Sequence, residues 1–186
     1  LPGEDLDEYT NIIIEETDRL TALVDRLLGP TNQPVTMPTN IHEVLEKSAR
    51  LVEAEHNLTI TRDYDPSIPE LSVDPNLMMQ AILNVVRNAS QVLADTQDPC
   101  IQLITRTERQ FTIGTNRHRN VVRIDIVDNG PGVPPSISEQ LFYPMISGRA
   151  GGSGLGLSIA QSIVVRHGGV IECDSQPGHT TFRIII

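Results

Sequence analysis

Positive charge is scarce in this sequence, which holds 14 lysine and arginine residues against 24 aspartate and glutamate residues, a formal net charge of −10 at pH 7. A protein with this charge has no general electrostatic attraction to nucleic acid, so a nucleic-acid-binding function is disfavoured. The only lysine in the sequence is Lys47, on a predicted helix far from any glycine-rich loop. A Walker phosphate-binding loop, which requires Gly-Lys-Ser/Thr, is therefore excluded.

Long apolar runs and paired cysteine motifs are also missing. No run approaches the roughly 18 apolar residues of a membrane-spanning helix, and LPGEDLDEYT at the N-terminus lacks the basic and then apolar pattern of a secretory signal. The two cysteines, Cys100 and Cys173, belong to no metal-binding or disulfide motif. We therefore expect a protein without a membrane span and with a cytoplasmic location.

The N-terminal part of the chain is acidic. Residues 1–28, called the acidic segment below, hold eight acidic residues and two arginines, a net charge of −6. Their apolar residues recur three and four positions apart, which is typical of a helix with a narrow apolar seam: Leu6, Tyr9, Ile13, Leu20, Leu23 and Leu27. We expect one long helix over residues 1–29 and a proline-containing linker over residues 30–38. The seam needs a partner, which is either a helix that this chain lacks or the main domain.

Residues 39–186 predict one α/β (α+β) domain. Asn40 can cap a helix in IHEVLEKSARLVEAE, and Asp74-Pro75 can begin the longer helix NLMMQAILNVVRNASQVLAD. Strands are expected at LTITRDYD, CIQLITRT and NVVRIDIVD, then a helix at GLSIAQSIVVRHG and a closing hairpin that turns at residues 176–179. Because helices and strands do not alternate strictly, we expect a two-layer sandwich, with a mixed sheet covered on one face by helices.

A glycine-rich loop stands before the last helix pattern, in GGSGLGLSIAQ. Its glycines Gly152, Gly154 and Gly156 allow backbone N–H groups to approach an anion, and the start of the helix adds the positive end of its dipole. The spacing does not fit the dinucleotide fingerprint Gly-x-Gly-x-x-Gly, which also follows directly after a strand. The loop therefore predicts a phosphate site, and a plain turn at the start of a helix is the alternative.

Two further polar features support the prediction of a nucleotide site. Asp128 ends an apolar strand beside Gly130 and Gly132, where a carboxylate can accept a hydrogen bond from an exocyclic amine and the glycines leave room for a flat ring. Asn84 and Asn88 lie four residues apart on one face of a mostly apolar helix. Buried amides need partners, and a hydrated metal ion with phosphates can supply them. A surface Asp-Asn-Gly turn is the alternative for the first feature.

These motifs, in this order, resemble those of the ATP-binding catalytic domain of sensor histidine kinases, within the Bergerat-fold ATPases that include gyrase, Hsp90 and MutL. LNVVRNA resembles the N box, DNGPG the first glycine box, LFYPM the F box and GGSGLGLSIA the second glycine box. PGHTTFRI is similar to the final strand motif, with His179 where a glycine is usual. The resemblance covers residues 39–186. DYDPSIPEL, LFYPMISGR and DRLLGP look like the nitrogen-regulation members of the family.

The resemblance implies a role for each matching residue. Asp128 would bind the adenine amino group of ATP, Asn88 would coordinate Mg²⁺ and Asn84 would support the same cluster. Phe142 would anchor a lid that runs from Phe142 to Gly152. Arg87 and Arg149 are candidates for contacting phosphate or the phosphoacceptor, and a solvated or structural arginine is the alternative. The other residues implied to line the nucleotide are Gly130, Gly132, Gly152, Ser153, Gly154, Leu155, Gly156 and Thr181.

The residue at position 84 indicates whether ATP is hydrolysed or its phosphate is transferred. Family members that hydrolyse ATP carry there a glutamate general base, but this sequence has Asn84. An amide cannot accept the proton, and general-base assistance is worth roughly 10²–10⁴ in rate. We therefore expect slow ATP hydrolysis and transfer of the γ-phosphate to a histidine. None of the five histidines has the His-Glu and Asn-Pro context of the family's phosphoacceptor, so we expect the acceptor to lie outside this chain and expect no autophosphorylation.

The resemblance also implies partners. Residues 1–29 would be the second helix of a dimerisation hairpin in a homodimer, and the acceptor helix of the same protein would be the first. A response regulator of the NtrC type would receive the phosphate, and the PII signalling protein would be a regulatory partner. Two alternatives remain: a non-kinase Bergerat protein that uses ATP as a conformational clamp, and an interaction module whose lid responds to nucleotide.

One basic stretch is not explained by these motifs. It lies between the two central strand patterns and contains Arg106, Arg109, Arg117, His118, Arg119 and Arg123. A solvated hairpin is the simpler interpretation. The alternative is a docking surface for an acidic partner or for the acidic segment, because the charges are opposite.

Overall fold

The computed structural model describes residues 14, 16, 17, 34–56, 58–146 and 154–186. Of the predicted N-terminal helix only Ile14, Glu16 and Thr17 are described, and all three are helical; the rest of residues 1–29 lies outside the described residues. The described helices are α1 (Ile41–His56), α2 (Pro75–Val92), α3 (Pro135–Ser138) and α4 (Gly156–Arg166). The described strands are β1 (Met37–Thr39), β2 (Ile60–Asp63), β3 (Leu71–Val73), β4 (Ile101–Ile113), β5 (Asn116–Asp128), β6 (Val170–Gln176) and β7 (His179–Ile185).

The main sheet has five strands in the order β2-β4-β5-β7-β6. β2 pairs parallel with β4, and the other neighbours pair antiparallel. The prediction of a mixed sheet is therefore confirmed. A separate antiparallel pair joins β1 to β3, so that Met37 and Pro38, which the sequence suggested as the end of a linker, pair with Val73 and Ser72.

The helices cover one face of this sheet. The core combines the apolar faces of α1, α2 and α4 with alternate strand residues that are at most 1% exposed: Ile60, Ile101, Leu103, Ile124, Ile126, Phe182 and Ile184. The intervening strand residues point to the opposite face, where Asp125 forms ion pairs with Arg123 on its own strand and with Arg183 on β7. The predicted two-layer arrangement is therefore confirmed. None of the helices in the described part of the chain is both long enough and apolar enough to cross a bilayer.

Local sequence signals explain where α2 begins and where the last hairpin turns. Asp74 accepts hydrogen bonds from the N–H groups of Asn76 (3.0 Å) and Leu77 (3.2 Å), and Pro75 occupies the first helical turn. β6 ends at Gln176 and β7 begins at His179, as the turn prediction required. These elements matter for function because α2 and the β6–β7 turn both border the site described next.

The hairpin of β4 and β5 is longer than the sequence predicted. Each strand has 13 residues, and they pair from Ile101 with Asp128 to Ile113 with Asn116. The basic stretch between the two predicted strands is therefore itself strand, with Gly114 (φ 59°) in the two-residue turn.

Candidate nucleotide site

One face of α2 forms the floor of the candidate site. Asn84, Asn88 and Val92 are spaced four residues apart and therefore share a face of the helix. At one end, a Cβ atom added to Gly156 would lie 3.8 Å from the Cβ of Asn84. At the other end, a Cβ added to Gly130 would lie 3.2 Å from Cγ2 of Val92. The two glycines are thus separated by eight residues of α2, about 12 Å at 1.5 Å per residue, which suits an elongated ligand.

Asp128 lies at the Gly130 end of this floor. It is the last residue of β5, its side chain is only 1% exposed, and its Oδ1 accepts a 2.9 Å hydrogen bond from the N–H of Gly130. Its Oδ2 is buried and has no hydrogen-bond partner among the described residues. Burial raises the pKa of the carboxyl, an effect that the Gly130 N–H and the nearby His179 reduce. A buried acceptor without a donor is costly, so Oδ2 is well suited to bind a donor on a ligand.

Two glycines are required beside this carboxylate. A Cβ at Gly130 would lie 2.8 Å from Oδ1 of Asp128. Gly132 has φ +85°, and a Cβ there would lie 3.0 Å from the carbonyl carbon of Gln176 in the β6–β7 turn. Gly178 in the same turn donates a 2.8 Å hydrogen bond to the carbonyl of Gly130. The loop after β5 is therefore fixed against the β6–β7 turn, which holds Asp128 and its surroundings in place.

Thr180, not Thr181, is the threonine beside Asp128. In the β5–β7 register Asp128 pairs with Thr180, and directly opposed residues share a face of the sheet. Thr181 pairs with Val127 on the other face, where its hydroxyl lies 3.3 Å from Nε2 of His179. Thr180 is 3% exposed and its hydroxyl lies 2.9 Å from that of Ser175. Sequence reasoning missed Thr180 because the motif alone does not show which of two adjacent threonines faces the helices.

Phe142 begins the lid predicted over residues 142–152, and Gly154 follows two residues after it; both have fixed contacts. The Phe142 ring packs edge-on against Phe182 of the core, with centroids 6.5 Å apart and an interplanar angle of 86°. The N–H of Met145 donates a 3.0 Å hydrogen bond to the carbonyl of Gly154. Gly154 has φ +65°, and a Cβ there would lie 2.7 Å from the carbonyl carbon of Met145. Arg149, Gly152 and Ser153, three of the predicted site residues, lie between these anchors and outside the described residues.

The start of α4 forms the other end of the site. Leu155 is 3% exposed, and its carbonyl accepts hydrogen bonds from the N–H of Ile159 (2.9 Å) and the hydroxyl of Ser158 (2.8 Å). Gly156, the first residue of the helix, faces Asn84, whose Nδ2 is buried and has no hydrogen-bond partner in the described part of the chain. The first turn of a helix that begins with glycine exposes backbone N–H groups, and together with the Asn84 amide these are well suited to bind an anion such as phosphate.

Arg87 lies on a different side of α2 from this floor. Its Nη2 and Nε lie 2.6 Å and 3.0 Å from the two carboxylate oxygens of Glu55 in α1. This bidentate pair occupies the guanidinium on the α1 side, which favours the structural interpretation of Arg87 over the phosphate contact. The neighbouring Asn88 is half-buried, and its side chain makes no hydrogen bond to any described residue.

The donor set limits how a metal ion could bind. Within the described residues there is no group of three or more His, Cys, Asp or Glu side chains that could hold a metal. A metal here would need ligands of another kind, such as an amide oxygen of Asn88 and oxygens of a bound ligand. A cavity of about 410 Å³ opens beside Gly130, lined also by Val92, Asp95, Thr96, Asn129, Pro131 and Gly178.

Comparison with known proteins agrees with this geometry. A curated relative from Vibrio alginolyticus, the sensory histidine kinase/phosphatase NtrB, is 50% identical over 188 residues that cover 100% of this chain and 54% of the relative. The chain thus spans about half the length of the curated relatives it matches. Among solved structures, the mycobacterial sensor histidine kinase MprB superposes with a TM-score of 0.67 at 25% identity, covering 82% of this chain and 97% of MprB.

A second solved structure, of the histidine kinase ThkA in complex with the response regulator TrrA, superposes with a TM-score of 0.65 at 24% identity, covering 97% of this chain and 51% of ThkA. The family model of the histidine kinase-, DNA gyrase B- and HSP90-like ATPases matches residues 73–186. That range includes the floor of α2, the unpaired Asp128 and the start of α4. The chain therefore belongs to the histidine kinase-, DNA gyrase B- and HSP90-like ATPase family, as its sequence motifs predicted.

Proposed function

We propose that this chain is the ATP-binding catalytic part of a sensor histidine kinase of the nitrogen-regulation, NtrB type. In this proposal the γ-phosphate of Mg-ATP passes to a histidine outside the chain and then to a response regulator. The observation that carries the proposal is the buried and unpartnered Oδ2 of Asp128, which lies at one end of a floor whose other end, at Asn84 and Gly156, is suited to phosphate.

Adenine fits the Asp128 end of the site. A carboxylate oxygen accepts a hydrogen bond, and the exocyclic amino group of adenine donates one. The glycines let the loop after β5 pack closely against Asp128 and the β6–β7 turn, and Val92 offers a flat ring an apolar contact. Thr180 adds a hydroxyl on the same face as Asp128. We therefore infer that the base is recognised mainly by one buried carboxylate.

Mg²⁺ fits the middle of the floor. The Asn88 side chain, free of hydrogen bonds to described residues, would offer its amide oxygen to the ion, which would take its other ligands from phosphates and water. The ion would neutralise charge on the phosphates during transfer. Asn84 and the start of α4 would orient the terminal phosphates through N–H groups.

Phosphate transfer is favoured over hydrolysis because of Asn84. An amide next to the terminal phosphates holds them in position but cannot remove a proton from water. The relative from Vibrio alginolyticus that is 50% identical to this chain is named a histidine kinase/phosphatase, which agrees with phosphate transfer to a protein side chain. Three histidines have side-chain partners in the described part of the chain: His42 contacts Thr105 (3.0 Å), His167 accepts the Asp74 N–H (3.0 Å) and His179 contacts Thr181 (3.3 Å). We infer that the phosphoacceptor histidine belongs to a segment that residues 1–186 do not include.

The partners follow from the same proposal. They are an acceptor helix of the same protein within a homodimer, a response regulator of the NtrC type and the PII signalling protein. The structural likeness to a kinase solved with its response regulator is consistent with the second of these. We also propose a cytoplasmic location, in which the free thiols of Cys100 and Cys173 stay reduced.

A transfer assay tests the proposal. The chain is incubated with Mg-ATP labelled on the γ-phosphate and with a separate segment of the Vibrio alginolyticus relative that carries its histidine helix. We expect an acid-labile phosphoprotein that is lost with Asn88→Ala. Asn76→Ala, an exposed position in the first turn of the same helix, is the matched control and should label normally.

The opposite result is equally informative. If the chain binds ATP with confirmed stoichiometry but never labels the segment, even at high segment concentration, the kinase proposal fails and a module whose lid responds to nucleotide is favoured. High concentration is needed because the acceptor is no longer tethered to the catalytic domain.

A further inference from the structure

The outer half of the β4–β5 hairpin projects from the sheet as a separate arm. β2 pairs with β4 only as far as Ile104, and β7 pairs with β5 only as far as Arg123. Beyond these points residues 107–113 and 116–121, called the arm, pair with each other and with no other strand in the described part of the chain. Six steps along a strand make the arm about 20 Å long at roughly 3.4 Å per residue.

Ion pairs neutralise the base of the arm but not its outer part. Arg106 pairs with Asp63 (2.5 Å), and Arg123 lies between Glu108 and Asp125. The predicted basic cluster is therefore smaller than the sequence suggested, because two of its arginines have acidic partners on neighbouring positions of the sheet.

Three arginines of the arm keep their charge uncompensated. Arg109, Arg117 and Arg119 are exposed, and none of them forms an ion pair with any described carboxylate. Arg117 donates only to the neutral amide oxygen of Gln110, at 3.3 Å. Arg117 and Arg119 share one face of the ribbon, and Arg109, which is paired with Asn120, lies on the other. In a protein with a net charge of −10, these cations make the projecting ribbon locally basic.

The arm leaves the sheet close to where the N-terminal part of the chain enters the domain. Nε2 of His42, in the first turn of α1, lies 3.0 Å from Oγ1 of Thr105, two residues before the arm begins. Asp128 lies at the opposite end of β5. The N–H of Val35 donates a 3.1 Å hydrogen bond to Oδ2 of Asp74, so the chain is fixed to the domain from Pro34 onward. Residues 29–33 join the acidic segment to this point, and five extended residues span up to about 17 Å.

We propose that the arm is a docking surface for the acidic segment of the same chain, held by Arg117 and Arg119 on one face of the ribbon. The acidic segment carries a net charge of −6 and is joined to the domain beside the base of the arm, so it is both complementary and at high effective concentration. Docking at the arm keeps the segment at the end of the domain remote from Asp128. This proposal does not depend on the nucleotide chemistry proposed above.

Spin-label distance measurements on the whole chain test this docking. Labels are placed at Thr21→Cys in the acidic segment and at Thr115→Cys in the turn of the arm, with Cys100 and Cys173 replaced by serine. At low salt we expect a population with a short distance between the labels. It should disappear at about 1 M salt, where the Debye length is about 3 Å. A tenfold excess of unlabelled chain should leave it unchanged, because the contact is within one chain.

Charge-reversal and charge-removal variants test whether the arm and the acidic segment are the two surfaces in contact. Arg117→Glu with Arg119→Glu should lower the short-distance population roughly tenfold, the combined effect of several exposed ion pairs. Replacing the acidic residues of the segment by their amides should do the same. Lys47→Glu with Arg50→Glu makes an equal charge change on exposed positions of α1 and should have no effect.

Three results would overturn the proposal. They are the absence of a short-distance population at low salt, a population that the arm variants leave intact, and a population that unlabelled chain dilutes away. The last result would mean that the arm contacts another copy of the protein. None of these measurements requires ATP or phosphate transfer, so the outcome is separate from that of the kinase proposal.

Discussion

The N–H of Gly130 donates a 2.9 Å hydrogen bond to Oδ1 of Asp128, while Oδ2 of the same carboxylate is buried and receives no hydrogen bond from any residue that the structure describes. The unpaired oxygen lowers the stability of the folded protein, but it also offers a ligand a strong hydrogen-bond acceptor. The stability is lowered because a buried charge prefers water, and a ligand is bound because its donor restores the missing interaction.

Asp128→Asn should abolish tight nucleotide binding without destabilising the protein. Burial raises the pKa of Asp128, so the folded state takes up a proton at a pH where the unfolded chain does not. The wild-type free energy of unfolding should therefore increase as the pH is lowered from neutral through the raised pKa, and this gain should be lost again as the pH rises. Asparagine does not titrate, so urea unfolding of the variant should lack this component.

Urea unfolding of the wild type and of Asp128→Asn at neutral pH shows whether the ionised carboxylate stabilises the fold. At neutral pH the variant should unfold at the same or a higher urea concentration than the wild type, because it buries no charge. A large loss of stability in the variant would mean that the ionised carboxylate has a structural partner and is not reserved for a ligand.

Gly156→Ala should separate stability from binding. The added Cβ would lie in ordinary contact with Asn84, at 3.8 Å, and alanine is favoured over glycine in a helix by up to about 1 kcal/mol. We therefore expect a melting temperature that is unchanged or raised, but weaker ATP binding, because the methyl group occupies the space of the phosphate. Ser162→Ala, exposed on the same helix, should raise helix propensity and leave ATP binding unaltered. Unaltered ATP affinity in Gly156→Ala would place the phosphates elsewhere.

Gly154→Ala should weaken nucleotide binding through the base of the lid. Alanine at φ +65° costs about 1–2 kcal/mol, and its Cβ would lie 2.7 Å from the backbone of Met145, which cannot move aside as a side chain could. Gly168→Ala is the matched control, since Gly168 has φ +77° and no atom within 4 Å of an added Cβ. Both variants should unfold more easily, and only Gly154→Ala should lose ATP affinity. An equal affinity in the two variants would show that the Met145–Gly154 contact has no part in binding.

Asn84→Glu should increase ATP hydrolysis. The wild type should hydrolyse ATP very slowly, because no general base occupies this position, and a carboxylate there could raise the rate by up to about 10²-fold. Asn84→Gln has a similar size without a basic group and should not increase the rate. Release of inorganic phosphate measures all three proteins. Fast hydrolysis by the wild type would contradict the role given to Asn84.

Elements with local signals were predicted well from the sequence. Asp74 and Pro75 fix the start of α2 through short-range hydrogen bonding and a restricted φ, and residues 176–179 contain the turn of the last hairpin. The extent of β4 and β5 was underestimated because the arm has no core to face and therefore no alternation of apolar and polar residues. Its strand conformation depends on pairing between the two halves of the hairpin.

Only the part of the candidate site that depends on local periodicity was predicted from the sequence. The alignment of Asn84, Asn88 and Val92 follows from helical periodicity and could be read from the sequence. The position of Thr180 beside Asp128 depends on the register between β5 and β7, and the pairing of Arg87 with Glu55 joins residues 32 apart on two helices. Such contacts are set by tertiary packing, which a single sequence does not display.

The most direct test of the account compares ATP with inosine triphosphate in equilibrium binding to the wild-type chain in the presence of Mg²⁺. Inosine has a carbonyl oxygen in place of the adenine amino group, so it would face Oδ2 of Asp128 with a second acceptor. We predict that ATP binds on the order of 100-fold more tightly and that Asp128→Asn removes most of this preference. Equal affinity of the wild type for the two nucleotides would contradict the assignment of Asp128 as the residue that recognises adenine.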